Sequence, residues 1–296
     1  MPGNGGAQDS VSCIRDEFDQ ISMITARLPY MSRPHAVIEL RAWALLAVPN
    51  GLLAGAVSGV LVTAVFSGIA PDWALALCVG LVTGAGPLAN VSSLAWSHWS
   101  RGRDKIAALV RLMGIFAAAL VAIAVVPVDT VGLGLMVASV IVSRILWCGI
   151  ITVRAEIWRA NFTRLARTAF VARSQVVVAV IGALVAAGAG YALDLDADRF
   201  RWLYSAAAIL AVCGIAAFGR MRMRRQRQLL AAERHALSLV PFSIRALFAP
   251  LTQDREYRRF LGWLFVLGSG TLMGTAPLIL ILGQQLAVPR LTQVLI

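Results

Sequence analysis

The sequence predicts an all-α fold, a polytopic bundle of seven membrane-spanning helices. Three observations carry this expectation. Of 296 residues, 59% are hydrophobic and 14% charged, with a mean hydropathy of +0.76. One soluble core of this size cannot bury so much apolar surface. The apolar residues also fall in seven runs of about 18 to 25 residues, each long enough to cross a hydrocarbon layer about 30 Å thick. Finally, the Arg residues concentrate in alternate connections between those runs, as in membrane proteins. The net charge of +12 therefore belongs to loops and does not point to nucleic acid as a partner.

Residues 1–43 open with the Gly-rich stretch PGNGG and the acids Asp9, Asp16, Glu17 and Asp19. They predict a cytoplasmic tail followed by a segment, from Arg27, that lies on the membrane surface. No apolar core of a cleavable signal peptide is visible there. Residues 44–219 predict a six-helix transmembrane bundle. Its first span, Ala44–Ser67, carries Gly51, Gly55 and Gly59 at four-residue spacing, a smooth packing stripe for another helix. Asn50 and Ser58 would share a face of that helix, with Asn50 either in a translocation path or joining helices. The second span, Trp73–Ala95, is loosened by Gly84, Gly86 and Pro87 and carries Asn90 and Ser93. A basic turn follows with Arg101, Gly102, Arg103, Asp104 and Lys105, the only Lys among 27 basic residues.

The third span is Ile106–Val126 and the fourth Val131–Val153. Arg144 lies near the middle of the fourth. Arg does not deprotonate, and its charge at the bilayer centre costs from about 3 to above 10 kcal/mol. Arg144 must face protein or a wet cavity. It is a candidate contact for an anionic or polar substrate, or a tie to carbonyls of neighbouring helices. No Asp or Glu lies in the apolar middle of any span, so no intramembrane carboxylate is expected to balance it. The fifth span, Ala169–Leu193, follows a long basic loop with Arg154, Arg159, Arg164, Arg167 and Arg173. The sixth is Trp202–Gly219. Residues 220–257 predict a basic cytoplasmic loop on the anionic leaflet, with Arg220, Arg222, Arg224, Arg225 and Arg227. Residues 258–296 hold a seventh span, Phe260–Leu282. Basic residues crowd the tail and the 2-3, 4-5 and 6-7 connections, which places the N-terminus in the cytoplasm.

Catalytic signatures for hydrolysis, zinc proteolysis or nucleotide binding do not occur in the loops. The Cys residues form no CxxC pair, and His35, His98 and His235 are scattered. We expect no enzyme activity, no metal and no cofactor.

Six spans with short outer turns, a long basic connection and a seventh span resemble the amino-terminal half of a major facilitator superfamily transporter, plus the first helix of its second half. The 2-3 turn from Trp96 to Lys105 keeps the position and basic character of the family's loop motif. Arg144 followed by Gly149 resembles the family's fourth-helix pair, and Gly182 to Gly190 echo its fifth-helix motif without the Pro. The resemblance implies secondary transport of a small solute across a cell membrane, the inner membrane in a bacterium, with symport, antiport or uniport open. It implies helices one, four and seven around a central cavity, where Arg144 meets Asn50 and the Gly-rich seventh helix. It also implies a second half beyond residue 296, as a missing partner or in a longer gene. The alternative is a non-transporting membrane scaffold or regulator that binds lipid or partners through its basic cytoplasmic loops.

Overall fold

A computed structural model describes residues 33–239, 254–282, 286 and 288–295. The expected tail before Arg33, the apolar cluster at 242–248 and the Gln284–Gln285 pair lie outside the described residues. Among the described residues all regular structure is helical. The helices are α1 (Arg33–Leu52), α2 (Gly55–Phe66), α3 (Asp72–Asn90), α4 (Ser93–Ser100) and α5 (Lys105–Ala124). They continue with α6 (Thr130–Asn161), α7 (Arg164–Leu195), α8 (Phe200–Gly219), α9 (Gln226–Leu239), α10 (Arg255–Leu280) and α11 (Arg290–Leu295).

Among the described residues five helices, α3, α5, α6, α7 and α8 (the last with its Ala197–Arg199 entry turn), are long and apolar enough to cross a membrane. The pair α1–α2 makes a sixth span if its 45° bend is counted within one crossing. Side chains such as Leu81, Val176, Leu184, Trp202 and Ile209 point outward. An apolar outer surface on helices of this length suits lipid. The molecule is a multi-pass helical membrane protein. The expected seventh span is helical as α10, packed on α2 and α3, but α10 is not among these candidate spans, so the described residues support five or six crossings where seven were expected.

Local chemistry sets the helix ends. Asp104 caps α5, accepting from the N–H groups of Ile106 (2.9 Å) and Ala107 (3.1 Å). Asp129 caps α6 through Gly132 at 2.6 Å. These carboxylates meet donors that the first helical turn leaves unpaired. The apolar core gathers α5 against α6 and α8, and α1 against α7 and α8, around Leu46, Phe116, Met136 and Phe218.

Two expectations are corrected here. The segment before Ala44 is not on the surface from Arg33 onward, because α1 begins there and buries Ala36, Glu39, Ala42 and Trp43. The first span is also not one straight helix. It breaks between Leu52 and Gly55, which divides the predicted glycine stripe. Gly51 faces Val185 and Gly182 on α7, whereas Gly55 meets the Thr83 backbone and Gly59 meets Thr83, Val79 and Ile279. The glycines still let helices approach closely, but in two directions. Asn50 and Ser58 consequently sit on different helices.

Candidate functional site

The long apolar helix α6 carries two arginines in opposite circumstances. Arg154, expected in a cytoplasmic loop, is fully buried because α6 continues to Asn161. Its Nε donates to Glu39 of α1, and the two form an ion pair. Trp158 Nε1 donates to the same Glu39 oxygen at 2.8 Å. The guanidinium lies over the rings of Trp43 (3.3 Å to the centroid) and Trp158 (4.3 Å). Charge neutralisation and two cation–π faces reduce the desolvation cost of this pair, while Glu39 Oε2 and the two terminal nitrogens of Arg154 stay buried without a hydrogen-bond partner among the described residues. Glu39 was hidden from sequence reasoning by its place in a basic segment. The spacing of Ala36, Glu39 and Trp43 on one helical face was the signal that could have found it.

Arg144 lies about 15 Å toward the other end of α6. Its NH1 donates to Asn50 Oδ1 at 3.2 Å, so the two predicted site residues do meet. Asn50 stands two residues before the α1–α2 break. That break is held open by caught carbonyls. Tyr204 donates to Leu52 O (3.0 Å), and Ser58 Oγ lies 3.1 Å from Leu53 O and 2.7 Å from Ala54 O. Bare carbonyls inside a membrane cost several kcal/mol, and these partners satisfy them.

Arg144 lines an open cavity of about 510 Å³ between α3, α4 and α6. Asn90, Ser93 and Thr152 give it polar groups, while Pro87, Trp147 and Ile151 give it an apolar wall. Gly86 supplies space, since a Cβ there would lie 3.8 Å from Arg144 Nε. Trp147 is fixed by stacking on Trp43 at 4.9 Å. Trp96 of α4 lies against Gly149 and donates to Ile145 O at 3.0 Å. The second residue of the Arg144–Gly149 pair is therefore the seat of an indole, where a Cβ would come within 3.1 Å of three ring atoms. Among the described residues the cavity lining comes from α3, α4 and α6, and the expected meeting of Arg144 with the Gly-rich stretch of α10 is not among the described contacts.

The 2-3 turn forms a second polar cluster. Gly102 takes a positive φ of 67°, a left-handed turn that suits Gly. Its N–H donates to Glu233 of α9 at 2.8 Å, and its carbonyl accepts from Arg234 at 3.3 Å. Lys105 is buried among Ser100 O (2.7 Å), Glu156 (2.8 Å) and Glu233 (3.0 Å). Arg103 lies over Trp99 at 4.6 Å, and Arg101 is exposed. The connection expected as a plain basic loop thus contains a helix docked on the 2-3 turn. Asn161 pins its start through Arg222 O (3.3 Å) and Arg224 N–H (2.9 Å).

The fold and site define a helical, multi-pass membrane protein in which Arg144, paired with no acid among the described residues, lines a cavity between apolar helices. No family model, no curated protein and no solved structure matches the chain.

Proposed function

We propose that the protein is a secondary transporter of the major facilitator type that moves a small solute past Arg144. One observation supports this most: a charged side chain near the middle of an apolar helix opens into a cavity large enough for a small molecule. Alternating access in such transporters rocks two halves around a midplane site. In this reading the α1–α8 bundle supplies one half and α10 begins the other, in a cell membrane with the N-terminus cytoplasmic.

The test is solute uptake or efflux by proteoliposomes that contain the full chain. Arg144→Ala should abolish transport while the protein remains in the membrane and monodisperse. Arg144→Lys should restore little, because a point charge does not reproduce a guanidinium fork. Full transport by Arg144→Ala at normal abundance would sink the reading. A second reading, a non-transporting lipid-binding scaffold, is favoured by one feature alone. Arg220, Arg222, Arg224, Arg225 and Arg227 are all exposed directly after α8. No solute movement, together with retention on anionic vesicles, would select it.

A further inference from the structure

We propose that the ligand of the Arg144 cavity is an organic monocarboxylate, one negative charge carried on an apolar body. The inference rests on the transporter reading above and names its substrate class. The charge balance comes first. Among the described residues the ion pairs are Lys105 with Glu156 and Glu233, Arg154 with Glu39, and Arg259 with Glu256. None reaches Arg144. Its partner Asn50 is uncharged, so the helix keeps one unbalanced positive charge in a place where such a charge is costly. Among the described residues no second cation lines the cavity. One negative charge completes the site, and a dianion would leave a new imbalance.

The hydrogen-bond geometry comes second. Asn50 occupies NH1, while Nε is buried with no hydrogen-bond partner. The Nε–NH2 edge of the guanidinium is the side-on edge that holds a carboxylate through two parallel bonds. Size and polarity come third. A cavity of about 510 Å³ is far larger than an inorganic anion, and Pro87, Trp147 and Ile151 reward an apolar body.

The experiment uses the full chain in nanodiscs of uncharged lipid, with radiolabelled benzoate as the probe. Benzoate should bind saturably. Benzamide, its neutral isostere, phthalate and acetate should each compete at least tenfold more weakly. Cys148 lines the same cavity. In a Cys13→Ser, Cys78→Ser, Cys213→Ser background, benzoate should slow the reaction of Cys148 with N-ethylmaleimide. Arg144→Gln should lose at least tenfold in benzoate affinity. If that variant does not fold, Gly86→Leu decides, since it keeps the charge and fills the space beside Nε. Decanoate as a further competitor separates two sources of the carboxylate. Competition stronger than that of unlabelled benzoate identifies the bilayer as the source, and weaker competition identifies the aqueous phase.

Equal competition by benzamide, undiminished binding in Arg144→Gln or Gly86→Leu, or a Cys148 that reacts equally with and without benzoate would overturn the proposal. Uptake of another solute through Arg144 without benzoate binding would overturn the substrate class and leave the transporter reading standing. Benzoate binding with no transport of any solute would support the ligand class and sink the transporter reading.

Discussion

Arg144 and Arg154 show how one residue type on one helix reaches two different ends. Arg144 was legible from sequence because a lone charge within about 23 apolar residues stands out against its cost. Its bond to Asn50 matched the expected meeting of first and fourth spans. Arg154 was not legible, because it begins a run of basic residues that reads as a loop, and its partner Glu39 sits among basic residues of its own. Only the packing of α1 on the end of α6 converts both into a buried pair. The two sites should therefore respond oppositely to loss of charge. Glu39→Gln leaves the Arg154 charge buried without a counter-charge, a loss of about 3–5 kcal/mol. A thermal melt of the purified protein should show a large fall in Tm, and Glu39→Leu with Arg154→Met together should recover most of it. Arg144→Gln removes a charge that has no acid partner, so its Tm should stay near that of the parent. Equal destabilisation by Glu39→Gln and Arg144→Gln would contradict this division.

At the scale of elements, span positions followed from hydropathy, but two features did not. The break between α1 and α2 has no Pro at its centre. It depends on Ser58 and Tyr204 catching carbonyls, and Tyr204 lies far away in the sequence. The glycine spacing of Gly51, Gly55 and Gly59 looked continuous for the same reason: a regular repeat cannot report a bend between its members. The docking of α9 was hidden by charge. A segment rich in Arg reads as solvated, whereas its single acid, Glu233, holds it to Gly102 and Lys105. Glu233→Ala should release α9 alone, because Lys105 keeps Glu156 and the Ser100 carbonyl. Hydrogen bonds to charged groups contribute about 1.5–3 kcal/mol. Amide exchange in α9 and at Gly102 should accordingly quicken about tenfold or more, with little change in Tm, as expected for a local opening. Protection of α9 equal to that of the parent would show that its apolar side chains, not Glu233, hold it.

At the scale of the whole molecule, two independent lines bear on topology. The first is the excess of Arg and Lys in alternate connections, the pattern expected of cytoplasmic loops. The second is geometric, owes nothing to the positive-inside rule and groups the connections without naming their side. Lys105 in the α4–α5 turn contacts Glu156 near the end of α6 and Glu233 in α9, while Asn161 at the end of α6 holds Arg222 and Arg224. Three basic connections are thereby gathered at one end of the bundle. At the opposite end α2 packs on the turn Ala197–Arg199, and Asp194 accepts the N–H groups of Arg290 (2.7 Å) and Leu291 (3.0 Å) of α11. Three crossings, α5, α6 and α7, separate Lys105 from the turn Ala197–Arg199, and α7 alone separates Asn161 from it, so the two groups fall on opposite sides; a single passage of the bent pair α1–α2 sets the side of the N-terminus. Reporter fusions test both lines together. Fusions after Ser67, Val128 and Arg199 should report the outer side, and fusions near Arg103, Arg164 and Arg227 the cytoplasm. The Ser67 fusion isolates the bent pair: a re-entrant α1–α2 would return it to the side of the N-terminus. A cytoplasmic signal at Val128 would overturn the whole map, since α5 and α6 would then no longer cross in sequence.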